Sequence, residues 1–430
     1  MKIAEALSAD ARELRPDIEV AGVRDGVTSF QRDDCVITGA EASDLSETLH
    51  PNRSRTSANP KWTLITAGIV MFVGATALSA AEAAPVAAER SDAADGQRWP
   101  TETAWAWYRK QPWLVGFNYI PATAINTTEM WQKDTFDPAT IDKEMALAQD
   151  VGFNCARVFV QYLVWEGDSA GLKDRLEKFL AIANRHGIRT MFVLFDDCNF
   201  SPFSDPFPGK QPDPIPGKYA HAWTPSPGPK RAHDPKCWPK LKEYVQDIVG
   251  TFSQDARVLA WETWNEPLDD RAPLALVEAS FAWARQVKPL QPVAATDYGS
   301  TQMRELVGRL SDYVSFHNYS AANELEVEIK ELLKSGRPVL CTEWMFRPYD
   351  SVPATCLPVL AKYRVAALHW GLVNGKTQTH LHMRPTGKPS DVWQHDIFRN
   401  NHTPYDDKEL AVFRNAIRQS SVGAQQSNER

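Results

Sequence analysis

The sequence predicts an α/β protein, a (β/α)8 TIM barrel, and three observations predict it. From residue 113 onward eight short apolar, β-like runs alternate with amphipathic stretches, which is the pattern of parallel βα units. The runs are apolar along nearly their whole length, so they need cover on both faces, and eight such units closing on themselves supply it. Polar residues also collect at one end of these runs, where the strands of an α/β barrel converge on their site.

The chain has 430 residues, and the barrel is expected over 112–420. Residues 1–61 are polar and without sustained periodicity, which reads as a disordered extension or a start codon set too early. Residues 62–84 read as an export signal: the uncharged run 62–80, WTLITAGIVMFVGATALSA, follows Arg53, Arg55 and Lys61 and precedes the small-residue stretch AEAAPVAA. That run is also long enough to span a bilayer, so an uncleaved signal anchor is the alternative. Either way the domain beyond it is expected to be exported, whether secreted, periplasmic or tethered through this one segment. Residues 85–111 read as linker and lead-in, and 421–430 as a disordered tail.

Within the barrel the first run is 113–121, WLVGFNYIP, followed by a helix over 137–151 that Asp137-Pro138 opens. The second is 154–162, NCARVFVQY. Its helix, LKDRLEKFLAIANRHG, repeats apolar residues every three to four positions and ends at Gly187. The third, 189–197, leads into a Pro-rich stretch, 198–239, too long to be mere connection and placed to wall or cover an active site. A helix over 240–252 follows. The remaining runs are 258–267, 292–299, 313–319, 338–344 and 366–373.

Composition narrows the function. A formal charge of -7 leaves no basic field for nucleic acid. Fifteen Trp suggest a carbohydrate site, because indole presents a broad apolar face to a sugar ring while its N–H finds a partner, although barrel packing also uses Trp. The six cysteines form no CxxC or zinc spacing. Cys155 and Cys341 lie in apolar runs and read as core, whereas Cys198 and Cys237 bracket the Pro-rich stretch and are candidates for a disulfide. His380 and His382 have alternate spacing but no evident third ligand, so neither a metal nor another cofactor is expected.

The polar strand-end residues are Asn118, Arg157, Asp196, Asp197, Asn265, Glu266, His317, Tyr319, Glu343 and Trp370. The fourth run ends in Trp264-Asn265-Glu266-Pro267 and the seventh in Thr342-Glu343-Trp344. In these features residues 113–418 resemble glycoside hydrolase clan A, the retaining barrel glycosidases that include the family 5 cellulases and mannanases. The resemblance also implies an Arg on strand two, a His-x-Tyr on strand six and a Trp closing strand eight. These are matched by Arg157, by His317-Asn318-Tyr319 and by Trp370.

The resemblance implies a β-glycoside hydrolase acting on cellulose-, mannan- or xylan-like chains, with Glu266 as acid/base and Glu343 as nucleophile, about 5–5.5 Å apart. Arg157 and Tyr319 are expected to hold Glu343 as an anion, and the negative Glu343 to raise Glu266. Asn265 is expected on the sugar 2-hydroxyl, Trp370 as the sugar platform, and His317 as an orienting group. Asn118, Asp197 and Trp344 are expected as further substrate-binding or supporting residues, and the protein as a monomer. A transglycosylase using the same residues and a non-catalytic carbohydrate-binding barrel are the alternatives. A metal-dependent hydrolase would need several convergent His and Asp, of which only His317 is available.

Overall fold

The computed structural model describes residues 97–428. The expected extension, the export segment and residues 85–96 of the linker lie outside the described residues. Among the described residues, no helix is long and apolar enough to cross a membrane.

Eight strands form one sheet: β1 (Val115–Tyr119), β2 (Cys155–Phe159), β3 (Arg189–Asp196), β4 (Val258–Asn265), β5 (Val293–Ala294), β6 (Val314–His317), β7 (Val339–Glu343) and β8 (Ala366–Trp370). Their order is β5-β4-β3-β2-β1-β8-β7-β6, and the paired strands are parallel. The two ends of that order meet through a parallel bridge between Thr296 and Ser315, so the sheet curls into a (β/α)8 barrel. Every strand lies inside one of the eight apolar runs.

A helix precedes the barrel, α1 (Thr101–Arg109), and one follows each strand: α2 (Pro138–Val151), α3 (Ser169–Arg185), α4 (Trp238–Phe252), α5 (Leu274–Gln286), α6 (Thr301–Leu310), α7 (Ala322–Leu332), α8 (Pro353–Lys362) and α9 (Asp407–Asn428). Local chemistry sets their ends. At α2 the Asp137 carboxylate accepts from the Thr140 N–H at 3.0 Å, Pro138 needs no hydrogen-bond partner in the first turn, and Gly152 ends the helix at φ 97°. In α3 Leu172, Leu176, Phe179, Leu180 and Ala183 are buried, the three-to-four spacing of an amphipathic helix on a sheet.

Both ends of the described residues carry helix. From Thr101 the supposed lead-in is α1, and it covers the N-terminal end of the barrel. Tyr108 is buried among Leu114, Met191, Leu259, Leu340 and Leu368, its hydroxyl donating to the Arg364 carbonyl at 2.6 Å, while Trp107 stacks on Tyr313. The closely spaced Ala104, Trp107 and Tyr108 were the available signal. At the other terminus α9 runs through to Asn428. Phe413 anchors that helix edge-on against Phe153 at 5.3 Å.

Candidate active site

Arg157 stands at the centre of the C-terminal end of the barrel, fully buried. A guanidinium there is tolerable only when every donor is matched. Its Nη1 donates to Glu343 Oε1 at 2.8 Å and to Asn118 Oδ1 at 2.8 Å, its Nη2 to Asn265 Oδ1 at 2.6 Å, and its Nε to Glu262 Oε2 at 2.8 Å. Burial opposes the Arg157 charge, but Glu262 and Glu343 together more than offset it and push its pKa up.

Glu262 was missed in the sequence. It is fully buried on β4 and also accepts from the Ser315 hydroxyl at 2.5 Å. The available signal was a carboxylate inside an apolar strand, since such a group persists in a low-dielectric wall only when paired.

Glu343, the last residue of β7, accepts from the Tyr319 hydroxyl at 2.6 Å as well as from Arg157. Glu266 follows β4 directly and has φ 42°, a left-handed backbone that costs a non-glycine residue about 1–3 kcal/mol and recurs at functional sites. The turn beyond it is fixed from β3: the Asp197 carboxylate accepts from the Leu268 N–H at 2.8 Å, and the Asp197 carbonyl from Arg271 at 2.6 Å. One carboxylate oxygen of Glu266, one of Glu343 and a ring nitrogen of His317 all lie within 4.8 Å of one another.

The two acids differ in their partners. Burial raises Glu343 above the usual carboxylate range, opposed by His317, Arg157 and the Tyr319 hydroxyl. Burial likewise raises Glu266, opposed by the Cys198 thiol and Arg157. Burial, rather than repulsion by Glu343 as expected, thus leads for Glu266. Two acids this close titrate as a pair; of the two, Glu343 has a guanidinium in contact, while Glu266 touches only neutral groups.

One of those neutral groups is His317, whose Nδ1 is 2.7 Å from Glu266 Oε1 and 3.5 Å from Glu343 Oε2. Burial lowers its pKa to about 4, so at neutral pH the ring orients Glu266 without adding a charge. The other is Cys198, whose thiol donates to Glu266 Oε2 at 3.2 Å. Burial, reinforced by the Glu266 charge, keeps that thiol protonated.

Cys198 and Cys237, the candidate pair, are both free: Cys198 faces Glu266, and Cys237 lies beside Asp234. Sequence reasoning considered Cys198 only as a bridging half, because its approach to β4 is not written in local pattern.

The remaining expected residues divide into two groups. Asn118 and Asp197 are buried supports: Asn118 receives Arg157 and donates to the Thr342 and His369 carbonyls at 2.7 and 3.2 Å. Asn265 is 1% exposed, and besides accepting from Arg157 it donates to Asp196 Oδ1 at 2.8 Å. Burial pushes the Asp196 carboxyl up to about 6. Of the two roles expected of Trp344, its burial leaves only the supporting one. It is fully buried, with its ring against His369 and Phe413 on the helix side, because successive strand residues point to opposite faces. Trp370 is 8% exposed, near-parallel to Phe159 and His395 and edge-on to Trp223, so the face it offers a sugar is small. Trp131, Trp261 and Trp264 are also fully buried, and much of the tryptophan excess is therefore packing.

Long loops wall the mouth. The Pro-rich stretch returns to β3, where Trp223 donates to Asp196 Oδ2 at 2.8 Å, and reaches the loop after β8 through Ala220 N–H to Thr377 carbonyl at 2.9 Å. Gln378 donates to the Ile215 and Lys218 carbonyls at 2.9 and 3.1 Å. The loop after β1 joins both: Lys376 N–H donates to the Ala122 carbonyl at 3.0 Å, and Asn126 to the Ala222 carbonyl at 2.9 Å.

The segment 391–396 backs Trp370 with fully buried Gln394 and His395. Arg347 holds it by donating to the His395 and Asp396 carbonyls at 2.8 Å each and by pairing with Glu409. The ring nitrogens of His382 are bonded to the Val392 carbonyl and Thr386, and among the described residues only Glu266, His317 and Glu343 form a group with converging metal-type donors. On the β5 side Tyr298 stands 38% exposed, its hydroxyl raised to about 12 by the Glu266 charge and by burial.

No protein-family model and no curated protein matches the chain. Solved structures of similar fold include an exo-β-1,4-mannosidase from Opitutaceae bacterium strain TAV5, at 19% identity and TM-score 0.51, over 72% of this chain and 60% of that one. The chain thus spans under two thirds of that protein. Others are an endo-β-1,4-mannanase from Thermotoga petrophila, at 14% identity and TM-score 0.48 over 74% of this chain and 78% of that one, and an endo-1,4-β-mannanase from Rhizomucor miehei, at 11% and 0.49 over 77% and 99%. At these identities the likeness is one of fold.

Proposed function

We propose that the protein is a retaining β-glycoside hydrolase acting on β-linked oligo- or polysaccharides through a covalent glycosyl-enzyme. The observation that carries this is the pair Glu266 and Glu343, with oxygens within 4.8 Å across the barrel mouth and different partners, a guanidinium on Glu343 and an imidazole and a thiol on Glu266. So close an approach favours the retaining arrangement, in which the carboxyls stand about 5–5.5 Å apart, over the inverting one, at about 6.5–9.5 Å.

In the first step Glu343, held anionic by Arg157 and Tyr319, attacks the anomeric carbon while protonated Glu266 gives its proton to the departing oxygen. Esterification removes the Glu343 charge, so Glu266 ionises more readily and takes a proton from the water that releases the sugar. His317 and Cys198 aim the two Glu266 oxygens. Asn265, held between Arg157 and Asp196, is the group assigned to the sugar 2-hydroxyl.

Cellulose-, mannan- and xylan-like chains are the candidate substrates. The fold likeness to an enzyme named for β-1,4-mannosides makes mannosides the first to assay. The uncharged run 62–80 with its basic flank supports an exported protein, touching a membrane only through that segment if it is retained, and we read the enzyme as a monomer.

The test is hydrolysis of 4-nitrophenyl β-glycosides by the full chain, with NMR detection of the first-formed anomer. Retention at wild type, loss in Glu343→Gln, and azide rescue of Glu343→Ala to the inverted glycosyl azide are expected. A wild-type rate in Glu343→Gln overturns the assignment. Transfer products dominating over free sugar at low donor concentration would make the enzyme a transglycosylase instead.

A further inference from the structure

The two carboxyls are unequally placed in depth, and the loops around them are unequally distributed. The Glu343 side chain is 6% exposed and that of Glu266 18%, so the nucleophile lies at the floor of the site and the acid at its opening. In double displacement these positions have fixed meanings: the sugar that becomes esterified sits on the nucleophile, and the departing group leaves past the acid.

The strands β3, β2, β1 and β8 are consecutive around the barrel, and the loops after β3, β1 and β8 are hydrogen-bonded to one another above them. The linking residues are interior ones. Ala220, Ala222, Trp223 and Thr377 are each at most 3% exposed, so the loops form a packed wall where they join, while Phe200 and Phe203, earlier in the stretch after β3, stand exposed. His395, fully buried, carries the wall on toward β7 through its bond to the Met345 carbonyl at 2.8 Å. Over β5, next to Glu266, the exposed ring is Tyr298.

From this asymmetry we propose that the site is a blind pocket that accepts one terminal, non-reducing sugar on the Glu343 side and lets the rest of the chain leave across Tyr298, so that the enzyme is exo-acting and releases single sugars. The inference rests on the glycosidase reading above. A second sugar beyond the esterified one would have to occupy space filled by the wall, and moving that wall would break its backbone hydrogen bonds and expose its buried tryptophan. On the other side the leaving group meets an exposed aromatic face, which suits a sugar ring of variable identity.

The experiment uses the full chain, the 4-nitrophenyl β-glycosides of glucose, mannose and xylose, and the β-1,4-linked pentasaccharides of the same sugars. Each pentasaccharide is fluorescently labelled at the reducing end and supplied with its terminal non-reducing 4-hydroxyl either free or methylated. The expected result is hydrolysis of at least one aryl monoglycoside, stepwise loss of one sugar from the matching free pentasaccharide, and at least a hundredfold slower cleavage of its methylated form. Early appearance of labelled di- and trisaccharides, with the methylated pentasaccharide cleaved as fast as the free one, overturns the exo inference while leaving the hydrolase reading in place. Cleavage of none of these substrates removes both together.

Discussion

The two ends of the barrel are built from the same eight strands and solve opposite problems. At the N-terminal end α1 presses Tyr108 and Trp107 onto an apolar layer that includes Leu114, Met191, Leu259 and Leu340, and the Tyr108 hydroxyl is paired with the Arg364 carbonyl. At the C-terminal end a buried guanidinium, the acids Glu262, Glu343 and Asp196 and the amides of Asn118 and Asn265 occupy the equivalent depth, held by hydrogen bonds of 2.6–2.8 Å. Burying apolar area favours folding without regard to orientation. A buried charge is tolerated only in one arrangement. The closed floor thus carries stability, and the mouth carries a constellation that the rest of the fold must hold in place.

The largest expected effect lies at the mouth. Glu343→Gln should lower kcat by about 10^4-fold or more, since covalent catalysis is lost, while the unfolding midpoint in guanidinium stays near wild type because the side chain keeps its shape. A large parallel loss of stability would make Glu343 structural and erase the contrast. Glu266→Ala should cost about 10^2–10^4-fold on substrates with poor leaving groups and far less on 2,4-dinitrophenyl glycosides, which need no proton to depart. An equal loss on both would assign Glu266 another role.

At the floor the order reverses. Tyr108→Ala should cost on the order of 3 kcal/mol in stability, as large-to-small core changes do, and leave kcat and KM of the folded enzyme unchanged within experimental error. A changed KM would mean that floor and mouth are coupled.

The smallest effects concern protons. In the proposed mechanism activity requires Glu343 ionised and Glu266 protonated. It therefore falls on the acid side as Glu343 takes up a proton and on the alkaline side as Glu266 loses one. Burial raises both groups, so the bell-shaped profile of kcat/KM should lie above the range of free carboxyls. The Cys198 thiol favours the Glu266 anion. Cys198→Ala should therefore raise Glu266 further and move the alkaline limb upward, by about one pH unit or less given the net worth of one hydrogen bond. A downward movement would mean that the thiol stabilises the protonated acid instead.

The sequence by itself determined the eight strands and the residues at their C-terminal ends, because apolar periodicity and strand-end polarity are local and survive in one dimension. Arg157, Asn265, Glu266, His317, Tyr319 and Glu343 were legible for that reason, and they converge in space. The tertiary structure alone decided which face each strand-end side chain takes, turning Trp344 to the helices and reducing Trp370 to a narrow edge. It alone placed Cys198 against Glu266 rather than Cys237, Glu262 beneath Arg157, and α1 under the barrel. These depend on contacts between residues up to a few hundred positions apart, and no local pattern carries such distances. Closing the sheet on itself is what converts eight independent strand ends into one pocket.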